Sequence, residues 1–169
     1  RIQQLMDADL LKFPSDIFTM DNAQWESVEA LSGWGKRSSQ NLRDSSEQVA
    51  STGISLGRFI YSLGIRHLGK HTSELLASCY GSAGVFLEAL DSASQRQITE
   101  VDGSSKDESA DEDINNRPFP ELTNKLGIGP VAIDSLFAFS KSRELVDAAK
   151  TLAESLNILE QEVFLEGDE

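Results

Sequence analysis

The chain has 169 residues, of which 39% are hydrophobic and 25% charged, a composition typical of a globular protein. No apolar run approaches the roughly 18 residues of a membrane span, and the single cysteine excludes an internal disulfide and a cysteine-based metal cage. A formal net charge of −13 is unfavourable for binding nucleic acid, so the distribution of the charge matters more than its sum.

The chain opens with "IQQLMDA", which turns through "DLLKFP" into "SDIFTM" over residues 2–20. Apolar residues recur at three- and four-residue spacing in nearly every later periodic segment, which predicts short helices joined by tight connections. Cap chemistry at Ser15, Asn22 and Ser82 marks three helix starts. We therefore predict an all-α fold in one compact domain over residues 1–156. Residues 157–169 are predicted to form an acidic linker towards a missing C-terminal domain.

A glycine-containing pattern recurs along the chain. The segment "LSGWGKRSSQNL" (31–42) matches "IRHLGKHTSELL" (65–76), 34 positions later, and "KLGIGPVAIDSL" (125–136), a further 60 positions on. The second glycine and a leucine seven residues after it stay in register in all three. The spacing predicts one helical hairpin repeated three times, with residues 2–20 as a degenerate further copy. A flexible acidic insertion at about 102–117 precedes the last copy, because that segment has too few apolar residues to fold.

This is the helix-hairpin-helix pattern, and about four such motifs follow in tandem. Glycines let the chain double back, and N–H groups at the start of the next helix then face a phosphate oxygen. Phosphate contacts carry no base sequence information, so the predicted binding is independent of DNA sequence. The residues predicted to contact DNA are Gly33, Trp34, Gly35, Lys36, Arg37, Ser38, Arg66, His67, Leu68, Gly69, Lys70, His71, Gly127, Ile128 and Gly129.

Alternatives remain open for several of these side chains. His67 replaces the first glycine of its turn and either touches phosphate or packs locally, and Arg66 is a phosphate contact or a surface base. Trp34 is either wedged into the minor groove or buried under its turn, with burial favoured. His67 and His71 have no acidic or cysteine partner, so we predict no metal site. The aromatic residues predicted to lie in the core are Trp25, Phe59, Tyr61, Phe137 and Phe139.

The charge is divided between different parts of the chain. Residues 91–121 contain nine acids and three bases, and residues 154–169 contain six acids and no base. Residues 33–71, in contrast, contain six bases and two acids. The acidic residues thus lie in two segments, and the basic residues surround the glycines.

The order of the copies, and above all "GIRHLG" (64–69), resembles the four-motif helix-hairpin-helix domain of bacterial NAD-dependent DNA ligases. "MDADLLKFPSDIF" (6–18) is similar to the opening motif of that domain, and the resemblance covers about 1–98 and 119–156. One departure is Lys125, where the family places an apolar residue. The resemblance implies a parent enzyme that transfers AMP from NAD to a lysine and then to a 5′-phosphate, and seals nicks in DNA replication and repair.

On this resemblance, NAD, Mg and Zn belong to the parent, and the present chain has no catalytic residue and no cofactor. It lacks the K-x-D-G lysine motif and the four cysteines of the family's zinc module. The expected partner is double-stranded, nicked DNA, and no membrane is expected to be bound. We expect the protein to be a monomer in the bacterial cytoplasm, associated with the nucleoid. Two alternatives remain: a helix-hairpin-helix module of another DNA repair protein, and an acidic helical protein–protein adaptor whose glycines only cap helices.

Overall fold

The computed structural model describes residues 1–96 and 117–161, and the predicted all-α fold is confirmed there. The eight α-helices of these residues are α1 (Ile2–Asp7), α2 (Asn22–Ala30), α3 (Lys36–Thr52), α4 (Leu56–Ser62), α5 (Lys70–Tyr80), α6 (Ala83–Gln95), α7 (Pro130–Lys141) and α8 (Arg143–Ser155). Two 3₁₀ helices (Pro14–Phe18 and Pro120–Leu122) and two short paired strands, β1 (Ile54–Ser55) and β2 (Ile158–Leu159), complete the described elements.

The chain divides into two compact units. The first unit comprises residues 1–54 with 148–159. Its core contains the buried side chains of Leu5, Leu11, Trp25 and Val28, which come from α1, the following loop and α2. The start of α3 packs on α2, where the hydroxyl of Ser39 donates a hydrogen bond to the carbonyl of Trp25 at 3.3 Å. This contact sets the hairpin between α2 and α3.

Of the described residues, 55–96, 117–147 and 160–161 belong to the second unit, and α4 packs against α5 within it. The two helices approach closely at Gly57, where a Cβ atom would lie 3.1 Å from Cγ and 3.2 Å from Cα of Glu74. Helix α6 packs against α7. The largest fully buried side chains of this unit are those of Phe59, Phe86, Phe119, Leu56, Ile60, Leu76, Leu90, Leu122 and Leu136.

The sequence repeat appears as a structural repeat in the first two glycine-containing copies. Asp21 and Ser55 stand 34 positions apart, and each caps the helix that precedes its turn by accepting a hydrogen bond from a backbone N–H three residues on. The third copy is shorter in the described residues, where Pro120–Leu122 forms one 3₁₀ helix ahead of the turn. The degenerate copy at 2–20 consists of α1 and the 3₁₀ helix Pro14–Phe18.

Several local predictions were wrong. The cap of α2 is Asp21, not Asn22, because the Asp21 carboxylate accepts from the N–H of Gln24 at 2.8 Å. Ser15 is buried inside a 3₁₀ helix and does not begin one, whereas Ser82 does cap α6. Tyr61 is 53% exposed, because Leu56, Phe59 and Ile60 occupy the buried face of α4. Apart from Arg117, the predicted insertion at about 102–117 lies outside the described residues.

Candidate nucleic-acid interface

Three turns share one backbone conformation: the first turn (31–35), the second turn (65–69) and the third turn (125–129). In each, the N–H of the fourth residue donates to the carbonyl of the first residue, at 3.0, 3.1 and 3.2 Å respectively. The third residue has a positive φ in every case: 79° at Gly33, 63° at His67 and 86° at Gly127. Histidine is one of the few non-glycine residues that tolerate this conformation. His67 therefore takes the place of the first glycine, as the repeat predicts.

The fourth residue anchors each turn to the protein. Leu68 is 6% exposed and Ile128 7%, so their side chains are committed to the core. Trp34 is half-buried: it packs against the core of the first unit, and its indole N–H donates to Oε1 of Gln4 at 3.3 Å. The Trp34 ring also forms part of the wall of an apolar cavity of about 660 Å³. The structure thus places Trp34 partly under its turn, and its contact with DNA stays a prediction.

The fifth residue of each turn is glycine although the described protein atoms do not require it. Gly35, Gly69 and Gly129 have φ values of −165°, −79° and −82°, which any residue adopts. A Cβ atom added at any of the three would meet no heavy atom within 4 Å. Gly127 differs, because its Cβ would lie 2.7 Å from Cδ1 of Leu75. The three fifth-position glycines therefore leave open space on the outside of the turn.

Backbone donors face that open space. In the second turn, the N–H groups of Gly69, Lys70 and His71 have no hydrogen-bond partner among residues 1–96 and 117–161. They lie at the start of the 11-residue helix α5, where the partial positive charge of the helix macrodipole is concentrated. Such a terminus is suited to an anion.

The first and third turns offer fewer donors. The N–H of Gly35 donates to the hydroxyl of Ser38 at 3.1 Å, which leaves Lys36 and Arg37 with N–H groups unpaired within the described part of the chain. In the third turn Pro130 has no N–H at all. The Ser38 hydroxyl also donates to the Gly35 carbonyl at 3.0 Å, so Ser38 supports the turn conformation.

Exposed basic side chains surround the first two turns, whereas the third turn contains one basic residue, the half-buried Lys125. Lys36, Arg37, Arg66, His67, Lys70 and His71 are all exposed. Of these, only Lys70 has an ion-pair partner among the described residues, Glu74 at 4.0 Å. In the third turn the position of Arg66 is taken by Leu126, which is 89% exposed. Electrostatic attraction for an anion is therefore concentrated at the first and second turns.

The third turn is fixed to helix α5. Leu75 of α5 lies against Gly127. The hydroxyl of Tyr80, at the end of α5, donates to Oε1 of Glu121 at 2.6 Å, and Glu121 lies four residues before the first residue of the turn. Burial, and then the hydrogen bond with Glu121, raise the pKa of Tyr80 well above its usual value. Tyr80 therefore stays protonated and able to donate this bond at neutral pH.

A cleft of about 360 Å³ beside the second turn was not predicted from the sequence. It is lined by Ser55, Gly57, Arg58, Tyr61, Lys70 and Glu74. Arg58 is one of the six bases of residues 33–71, and Tyr61 is one of the aromatic residues predicted to lie in the core. The available signal was the spacing of residues 58 and 61, which places both on one face of a helix.

The described residues provide no group of three or more His, Cys, Asp and Glu side chains able to hold a metal ion. NAD, Mg and Zn were predicted for the longer parent protein and stay predictions. Within the same residues, no helix combines the length and the apolar character that crossing a membrane requires.

The repeated turns and their helices form helix-hairpin-helix motifs, and residues 58–106 match the family described as "Helix-hairpin-helix motif". The chain is also similar to proteins named DNA ligase from Rickettsia canadensis (strain McKiel), Rickettsia bellii (strain OSU 85-389) and Rickettsia rickettsii (strain Sheila Smith). Each is 32% identical over 161 residues, or 94% of this chain. The chain spans about a fifth (20%) of the length of these relatives. The predicted resemblance to the helix-hairpin-helix domain of a DNA ligase is thereby confirmed.

Proposed function

We propose that this chain grips the phosphate backbone of duplex DNA around a nick, as the helix-hairpin-helix part of an NAD-dependent DNA ligase acting in replication and repair. The relatives named DNA ligase support the parent. One observation carries the binding role: glycine occupies the fifth position of all three turns although neither its φ nor a neighbouring atom in the protein requires it. The open space is explained by an external group that must approach the backbone.

A DNA phosphate accounts for the other features of the turns. Its oxygens can accept from the free N–H groups of Gly69, Lys70 and His71 while the positive end of α5 attracts its charge. Lys36 and Arg37 add charge at the first turn. These groups reach the sugar-phosphate backbone, so binding is independent of base sequence.

In the parent, NAD would supply the AMP that activates the 5′-phosphate at the nick. The residues of this chain bind and orient the duplex and exchange no proton with it. We further propose that the chain acts as a monomer in the bacterial cytoplasm, associated with the nucleoid.

The test is fluorescence anisotropy of a labelled nicked duplex titrated with the chain at several salt concentrations. If three turns hold one or two phosphates each, roughly 3–6 counterions are released and the log–log salt slope is about −3 to −5. An intact duplex and a duplex of different sequence serve as controls. An affinity that does not change with salt concentration, or that differs more than threefold between duplex sequences, would refute binding through the phosphates.

The net charge of −13 favours the second candidate, an acidic helical adaptor that binds another protein. The same titration separates the two, because an adaptor leaves the anisotropy of the duplex unchanged at every salt concentration. A helix-hairpin-helix module of another repair protein would also bind DNA; nick sealing by the full-length parent distinguishes it from a ligase.

A further inference from the structure

The cleft between α4 and α5 has a defined floor and walls. Arg58 and Tyr61 lie one turn apart on α4, and Lys70 and Glu74 lie one turn apart on α5. Gly57 forms the floor, because its missing side chain lets α4 come against the Cα and Cγ atoms of Glu74. The close packing of the two helices therefore brings these side chains together in one cleft.

The charges in the cleft suit a monoanion. The guanidinium of Arg58 is exposed and makes no hydrogen bond or ion pair with any residue of 1–96 and 117–161. Lys70 has only the distant, solvent-exposed pairing with Glu74 at 4.0 Å, which contributes little stability. Two cations and one carboxylate leave one net positive charge. The half-exposed ring of Tyr61 adds an apolar wall beside that charge.

We propose that this cleft binds a second phosphodiester of the DNA strand whose neighbouring phosphate lies at the second turn, with Arg58 and Lys70 on the phosphate and Tyr61 against the deoxyribose. This assignment rests on the proposed function. Lys70 joins the two sites, because it follows Gly69 directly and also lines the cleft. The second turn thereby holds two phosphates where the turn alone holds one.

The first turn lacks an equivalent site. The positions 34 residues before Arg58 and Tyr61 are Gln24 and Ser27. The side chain of Gln24 is occupied, because its Oε1 accepts a hydrogen bond from the N–H of Asp21 at 2.9 Å. The additional phosphate therefore belongs to the second turn.

The experiment measures the affinity of the full chain for a nicked duplex by anisotropy, between about 50 and 300 mM NaCl. Arg58→Ala should weaken binding three- to tenfold at about 50 mM NaCl. It should also reduce the magnitude of the log–log salt slope by about one, as expected for one lost phosphate contact. Arg58→Lys should recover part of the affinity. Glu74→Gln removes the opposing charge while keeping the shape of the side chain, and should strengthen binding at least twofold.

Arg143→Ala is the matched control, since it removes the same charge from an exposed arginine that pairs with Asp147 at 3.7 Å. Its affinity should stay within twofold of the unchanged chain. A gain with Glu74→Gln cannot result from loss of folding, and circular dichroism checks the other variants. If Arg58→Ala and Glu74→Gln bind like the unchanged chain while Gly69→Asp loses affinity, the cleft assignment is wrong and the proposed function stands. If the unchanged chain does not bind the duplex, the proposed function itself fails.

Discussion

Replacing Gly69 by aspartate should make the protein more stable and a weaker DNA binder. Gly69 caps α5 with φ −79° and ψ 175°, and a Cβ atom added there would meet no heavy atom within 4 Å. Removing a glycine at a compatible position stabilises by about 0.4–1 kcal/mol through the unfolded chain. A capping carboxylate adds a few tenths over glycine, and its interaction with the helix macrodipole adds about 0.3–1 kcal/mol. We expect a gain of about 1–2 kcal/mol, which raises Tm by roughly 2–8 °C.

The effect on binding has the opposite sign. The new carboxylate occupies the space in front of the Gly69, Lys70 and His71 N–H groups and accepts from the N–H of His71 or Thr72, so a phosphate can no longer bind there. It also repels the phosphate: two unit charges about 4 Å apart interact by about 1 kcal/mol in water and about 4 kcal/mol near a protein surface. Together these effects predict at least a tenfold loss of affinity.

Thermal melting followed by circular dichroism and anisotropy with a nicked duplex measure the two quantities on the same samples. Gly64→Ala is the control, because Gly64 has φ 65° and open space around it. Alanine there should cost about 1 kcal/mol of backbone strain and leave affinity unchanged below Tm. If Gly69→Asp binds normally, or loses binding only as it melts, the glycine is a structural cap and the proposed phosphate site is wrong.

Further predictions concern the packing of the repeats and the third turn. Ser73→Ala should raise the free energy of unfolding by about 1 kcal/mol, because the buried Ser73 hydroxyl has no hydrogen-bond partner among the described residues. Ser39→Ala should lower it by a similar amount, because it removes the hydrogen bond to the carbonyl of Trp25. Urea titrations measure both changes. Tyr80→Phe should cost about 1–2 kcal/mol at neutral pH, but the difference from the unchanged chain should shrink above about pH 10, where the unfolded tyrosine ionises and the folded one, with its raised pKa, does not. A difference that stays constant from pH 7 to 11 would contradict this. Leu126→Arg should strengthen DNA binding at least twofold without changing Tm, because the side chain is 89% exposed; unchanged affinity would show that the third turn does not approach DNA.

The turns could be predicted from the sequence because their conformation is local. A glycine five residues into each segment and a leucine seven residues later fix the register, so even His67 could be assigned to a glycine position. The register also places Lys125 first in the third turn, where its carbonyl accepts from Ile128 at 3.2 Å, and leaves Leu126 exposed. An apolar residue is not needed at that first position, because the turn uses its carbonyl.

The features that depend on how helices meet could not be predicted. Tyr61 was assigned to the core because its spacing is helical, but spacing does not tell which aromatic residue of α4 faces α5. The cleft beside the second turn depends on the contact between Gly57 and Glu74, which are 17 positions apart in sequence. Likewise, only the structure shows that Gly35, Gly69 and Gly129 have open space around them, whereas Gly127 is packed against Leu75.

If the turns bind phosphates as proposed, the attachment of the third turn to α5 affects which double helices the protein accepts. Helix α5 begins at the second turn and carries two contacts to the region of the third turn, so it fixes the separation of the two turns. The contacts are the packing of Leu75 against Gly127 and the hydrogen bond from Tyr80 to Glu121. Two phosphate-binding turns held at a set distance fit only a duplex whose phosphates have a matching separation across the groove. RNA duplexes have a wide, shallow minor groove and a deep, narrow major groove, so their phosphates lie at other separations than those of B-form DNA. On the proposed function, we therefore expect an RNA duplex to engage one of these two turns at a time, so that DNA would be preferred without any contact to a base or a 2′-hydroxyl.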